Sequence, residues 1–183
     1  MSTGGYKIWN KEGVHFVTFA VVEWVDVFTR KEYRDIFIDS IRHCQQAKGL
    51  KLYSWCLMSN HVHMVISSDK GISEIMRDLK KFTSKQLIKA VTEHPQESRR
   101  DWMLQIFKLA GADNSRNVNY QFWRQDNQPK ECYSKEFTLQ KLEYIHNNPV
   151  AAGIVERAED YLYSSARDYY GGGKGLLEVE ILM

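Results

Sequence analysis

The sequence predicts an α+β fold: a ferredoxin-like split βαβ, in which a four-stranded antiparallel sheet carries helices on one face and a further C-terminal helix is added. Three observations carry this reading. Apolar residues alternate along some stretches and recur at helical spacing along others. The elements follow the order β-α-β-β-α-helix-β-α, whose first part is the split βαβ pattern. The 183 residues suit one domain, 1–183, with a core over about 14–155 and a tail over about 156–183.

Residues 14–22 form the first strand, rich in β-branched and aromatic side chains. Thr29 and Glu32 have the spacing of a capping box, with Thr29 as the N-cap. The helix they open places Tyr33, Ile36, Phe37, Ile41 and Cys44 on one stripe and ends at Lys48-Gly49. Residues 50–57 and 61–67 pair as a hairpin around the turn Met58-Ser59-Asn60. A long helix over about 72–92 buries Ile72, Ile75, Met76, Leu79, Phe82, Leu87 and Val91. Arg77, Lys81, Lys85 and Lys89 lie on its opposite side, four residues apart.

Pro95 breaks the chain before a shorter helix over about 97–110, with Trp102, Met103, Ile106 and Phe107 inward. Residues 111–119 are a loop by composition. Tyr120–Arg124 and Lys130–Tyr133 form two short strands around the turn at 126–129. The last long helix starts near Ser134 and stops near Asn147, since Pro149 disfavours helical geometry in the residue before it. Leu139, Leu142 and Ile145 form its buried stripe. Gly171–Gly173 begin a flexible end that closes with a strand over Leu176–Leu182.

Composition bounds the function without naming it. The hydrophobic fraction of 43% and charged fraction of 26% are those of an ordinary globular chain. A net charge of +2 neither demands nor excludes nucleic acid, because local patches decide binding. Cys44, Cys56 and Cys132 are widely spaced and odd in number, which predicts reduced thiols and a cytoplasmic location. No apolar run reaches the roughly 20 residues of a membrane span, so no membrane partner is expected.

Two clusters point to chemistry. His61 and His63 are two apart on a strand, so both rings leave the same face of the sheet, while Val62, Met64 and Ile66 face the core. Paired neutral imidazoles suit a divalent metal, although the same pattern also arises on any exposed strand face. The second cluster is Tyr144, about 200° of helical rotation from Leu142 and so off the buried stripe, in line with Gln140 and Asn148. Tyrosines so placed are commonly half-exposed packing residues.

Together, the run Trp55–Ile66, containing Ser59-Asn60-His61-Val62-His63, and the run Tyr144–Val155 resemble the REP-associated tyrosine transposases. These are relatives of the IS-type single-tyrosine transposases in the HUH endonuclease superfamily. The resemblance covers about residues 14–170 and includes Tyr163–Asp168. It implies that His61 and His63 are metal ligands, that Tyr144 on the added helix is the catalytic nucleophile, and that Asn148 is the third ligand, with Asn147 and His146 as alternatives. It also implies Mg²⁺ or Mn²⁺ as cofactor, single-stranded or hairpin DNA as partner, and a monomer or homodimer. The reaction the resemblance implies is metal-assisted transesterification through a 5′-phosphotyrosine; the cation suits it because a free phenol, with a pKa of about 10, is a poor nucleophile alone. Arg77, Lys81, Lys85 and Lys89 would track phosphates or simply be solvated, and Trp123 and Arg124 would stack and contact an unpaired nucleotide or belong to the sheet. The competing readings are a DNA-binding module without transposition and a metal-dependent nuclease; larger nicking enzymes of the same superfamily usually have a permuted order.

Overall fold

The computed structural model of the protein describes residues 8, 10–112, 119–125 and 128–182. Its strands are β1 (His15–Ala20), β2 (Lys51–Leu57), β3 (His61–Ser67) and β4 (Lys130–Glu131). Its helices are α1 (Lys31–Lys48), α2 (Ile72–Glu93), α3 (Arg100–Ala112), α4 (Lys135–Ala151) and the short α5 (Ala166–Tyr170). The sheet runs β2-β3-β1-β4 with antiparallel neighbours, which is the ferredoxin-like order.

Alternation along β1 and β3 sorts the two faces. Val17, Phe19, Val62, Met64 and Ile66 join Phe37, Ile41, Leu79 and Leu87 in the main core under α1 and α2. Phe16, Cys56, Met58 and Val65 pack with Ile145 of α4 in a smaller cluster on the other face. The sheet is therefore sandwiched between the α1–α2 layer and α4, and the side chains between sheet and α4 line the site described below. The three cysteines are free thiols. No helix among the described residues is long and apolar enough to cross a membrane.

Several local expectations give way to tertiary contacts. Thr29 does not cap α1: the N-cap is Arg30, with no side-chain bond, and the Thr29 carbonyl instead accepts from Arg34. Gly49 ends the helix as expected, in the left-handed region at φ 69°. Phe82 is exposed, and Thr83 takes the buried place because one turn from Leu79 the helix rotates residue 83, not 82, towards the core. Trp102 is likewise exposed, while Met103 and Phe107 are buried. The edge strand is interrupted: Trp123 bridges Val21, and Lys130–Glu131 pair with His15 and Phe16. The expected loop falls largely on residues 113–118 and the turn on 126–127, which lie outside the described residues.

α4 opens at Ser134, whose hydroxyl accepts from the Phe137 N–H, and it continues past Asn147 to Ala151 with Pro149 inside. Proline removes only the bond to the Ile145 carbonyl, and its ring is buried, which offsets that loss. Leu139 lies at the exposed edge of the helix, and Leu142, Ile145, His146 and Pro149 form the buried face. The tail is not loose. Its residues 163–165 run along the outer edge of β2, where Cys56 bridges Ser164, and Leu177 is buried. Leu176–Leu182 form no strand, but the Glu180 N–H donates to the Leu52 carbonyl farther along the same edge.

Candidate active site

β3 is a central strand, and its pairing with β1 sets Thr18 opposite His63 and Ala20 opposite His61. Both rings leave the face covered by α4, with centroids 4.7 Å apart. The Thr18 hydroxyl lies 2.7 Å from His63 Nδ1. Phe16 stacks on the same ring at 5.4 Å.

His61 is set by the turn before it. Asn60 donates through its amide nitrogen to the Trp24 carbonyl and to Asp26 Oδ1, so its amide oxygen faces His61 Nδ1 at 2.7 Å. An amide oxygen only accepts, hence Nδ1 carries the proton and Nε2 keeps its lone pair. His63 reaches the same state when the Thr18 oxygen accepts from Nδ1. Burial, with smaller contributions from the charges of His61 and Lys141, pushes the His63 pKa down to about 3; burial lowers that of His61. Both rings are therefore neutral near pH 7, which is the form that ligates a metal.

α4 brings its polar stripe to these histidines. The Tyr144 ring packs edge-on against His63 with centroids 5.2 Å apart, and it is half exposed. Asn148 is helical, and its amide nitrogen donates to the Tyr144 carbonyl at 2.7 Å. That bond uses the amide N–H and leaves the oxygen available as a neutral donor. His146 faces the other way. It is buried, with Nε2 2.8 Å from Ser165 Oγ and Nδ1 3.3 Å from the Tyr170 hydroxyl, and burial lowers its pKa to about 4. With both nitrogens engaged it is a structural residue, which removes it from the ligand candidates. Asn147 is exposed. Among the described residues no three His, Cys, Asp or Glu side chains converge on a metal site. Two neutral imidazoles and, one turn along α4 from Tyr144, an amide oxygen are donor types that would suit a weakly held divalent ion.

Other expected residues lie elsewhere. Arg77, Lys81, Lys85 and Lys89 are exposed on α2, on the far side of the sheet from the histidines, and Arg77 pairs with Asp78. Trp123 is in the core rather than open to a base: it stacks on Phe28, contacts Phe19 and Phe37, and donates from Nε1 to the Thr83 hydroxyl at 2.9 Å. The edge-strand bridge to Val21 turns its ring inward, which alternation in a two-part strand does not reveal. Arg124, next in sequence, reaches the rim of the site, its guanidinium 5.6 Å from the Trp24 ring centre.

Sequence reading missed Thr18, Asn60, Trp24 and Lys141. The Lys141 ammonium sits over the rings of Phe137, Phe16 and Tyr144 at 5.0, 5.2 and 5.8 Å. Its spacing of three residues from Tyr144 on one helix was the available signal; Thr18 and Trp24 had none before strand register was known.

Comparison with known proteins shows the family and the fold. Residues 11–110, more than half of the chain, match the family described as "Transposase IS200 like". No curated protein matches. The fold is similar to that of a REP-associated tyrosine transposase solved bound to a REP hairpin, with a TM-score of 0.65 and 14% identity over 100% of this chain and 94% of that one. A transposase structure from Deinococcus radiodurans R1 is 17% identical over 80% of this chain and 97% of that one, with a TM-score of 0.43, too low to equate the folds.

Proposed function

Since this chain belongs to the IS200-like transposase family, we propose that it nicks and rejoins single-stranded DNA, with Tyr144 as nucleophile and His61, His63 and Asn148 as ligands of a divalent metal. The observation that carries this is the packing of Tyr144, the polar-stripe tyrosine of α4, against the ring of His63, 5.2 Å away between centroids.

Tyr144 Oη attacks the scissile phosphorus and loses its proton, the bond to the 3′ oxygen breaks, and that oxygen leaves as a 3′-hydroxyl after taking up a proton. A 5′-phosphotyrosine holds the strand until a 3′-hydroxyl attacks it, which restores the phenol and the phosphodiester without an outside energy source. Mg²⁺ or Mn²⁺, when bound, would polarise the phosphate and offset the developing charge. Asn60 holds the His61 imidazole in one tautomer, Thr18 hydrogen-bonds that of His63, and Lys141 adds positive charge beside the phenol. The similar structure's REP hairpin supports hairpin-forming DNA as the partner here, and the exposed α2 cations offer phosphate contacts away from the cleavage site.

The test is incubation with hairpin-bearing single-stranded DNA and Mn²⁺, followed by a search for an SDS-resistant protein–DNA adduct. The wild type forms it; Tyr144→Phe and His61→Ala/His63→Ala do not. An adduct that persists in Tyr144→Phe overturns the assignment, and cleavage without any adduct replaces it with a metal-dependent nuclease.

A further inference from the structure

Trp24 is placed at a cost. Glu23 and Trp24 are the two non-glycine residues with positive φ among the described residues, at 51° and 54°. Side chains with a Cβ are disfavoured there, and two in succession do not persist unless the surroundings hold them. The reason is visible: the Trp24 carbonyl accepts from the Asn60 amide, the same amide whose oxygen orients His61. The ring that results is half exposed, although an indole gains most by burial. Its edge meets the His61 ring with centroids 5.7 Å apart, and Arg124 lies over it at 5.6 Å. A strained backbone segment thus carries a half-exposed aromatic surface beside a candidate metal ligand and beneath a cation.

We infer that Trp24 is the stacking platform for an unpaired base of the DNA strand next to the scissile phosphate, with Arg124 contacting the adjoining backbone. This rests on the DNA-cleaving function proposed above. The chemistry fits because every base has a π-face and its phosphate carries the charge that a guanidinium binds. Trp123, the aromatic that the sequence offers for this role, is closed off in the core. Trp24 is a binding residue; no bond is made or broken on it.

The experiment uses the full chain with Tyr144→Phe, so that binding is read without chemistry. The probe is a hairpin oligonucleotide with 2-aminopurine placed in turn at each single-stranded position flanking the stem. One position is strongly quenched on binding. Trp24→Ala removes that quench and weakens binding about tenfold, in the range of one base–aromatic stack. Trp24→Leu, which keeps apolar bulk if the alanine variant folds poorly, also lacks the quench, and Trp24→Phe keeps part of it. Arg124→Gln lowers the dependence of binding on salt by about one phosphate contact. A quench that is unchanged in both Trp24→Ala and Trp24→Leu overturns the inference, even where the Tyr144-dependent adduct still forms. The converse result, a Trp24-dependent quench with no adduct in the wild type, keeps the platform and sinks the proposed cleavage.

Discussion

Each site histidine is held through Nδ1 by a neighbouring side chain. Asp26 and the Trp24 carbonyl turn Asn60, and Asn60 turns His61; the Thr18 hydroxyl hydrogen-bonds His63 Nδ1 from the facing strand. Such partners commonly change metal affinity by 10–100-fold. Thr18→Val, which keeps the shape and removes the hydroxyl, should weaken Mn²⁺ binding by roughly that factor in isothermal titration, and Thr18→Ser should restore most of it. Equal affinity in all three proteins would mean that the hydroxyl orients nothing. At this scale the His-Val-His spacing was legible, because alternation along a strand is a property of the strand itself. The partners were not. Thr18 is 45 residues from His63, and only the β1–β3 register makes them neighbours.

The element that matters most is α4, which carries Tyr144 and Asn148 on one side and the buried His146 on another. Its start was readable in Ser134, a strong N-cap whose hydroxyl bonds the Phe137 N–H at 3.1 Å. Ser134→Ala should destabilise the protein by about 1 kcal/mol, seen as a lower denaturation midpoint with an unchanged slope, and Ser134→Asp should recover it. A loss well under half of that would show that packing of Leu142 and Ile145 alone sets the first turn. The end of α4 was misread because Pro149 is a local stop signal, whereas burial of its ring is a tertiary effect. That error bears on function, since only a helix continuing past residue 147 puts Asn148 one turn beyond Tyr144, where its amide bonds the Tyr144 carbonyl. The misplaced Phe82, whose buried place goes to Thr83, and the misplaced Trp102 have a common origin. Two adjacent residues differ by 100° on a helix, and composition favours the larger apolar one as buried although rotation decides.

At the scale of the molecule, a buried carboxylate ties the layers together. Glu97, in the connection between α2 and α3, accepts from Arg30, Arg99 and the Tyr33 hydroxyl, so it joins that connection to the start of α1. Burial by itself would raise its pKa, but the hydrogen bonds from Arg99, Arg30 and Tyr33 outweigh it and hold it at about 2, below the ordinary 4.5. A folded value below the unfolded one gives stability that is complete above about pH 4.5 and lost as pH falls towards about 2. Acid unfolding should therefore steepen across that window, and Glu97→Gln should flatten it while lowering stability at pH 7. Glu97→Ala, which leaves two guanidinium groups partly buried without their partner, should cost about 3–5 kcal/mol. An unchanged acid profile in Glu97→Gln would show that other carboxylates govern acid stability. The tail acts at the same scale, since residues 163–165 and Glu180 occupy the outer edge of β2, which would otherwise present unpaired backbone groups.

By itself the sequence determined the main helices, the first three strands, their order, the split βαβ arrangement and two clusters of chemistry, because hydrophobic period and turn residues are local and survive without knowledge of neighbours. The tertiary structure decided which of those residues are free to act. His146 and Trp123 are of the right chemical type, but Ser165, Tyr170 and Thr83 engage their polar atoms. Asn148 and Trp24 remain available, the first by its amide oxygen and the second by a ring held in solvent. Availability depends on what packs against the far side of an element, and those partners come from distant parts of the chain.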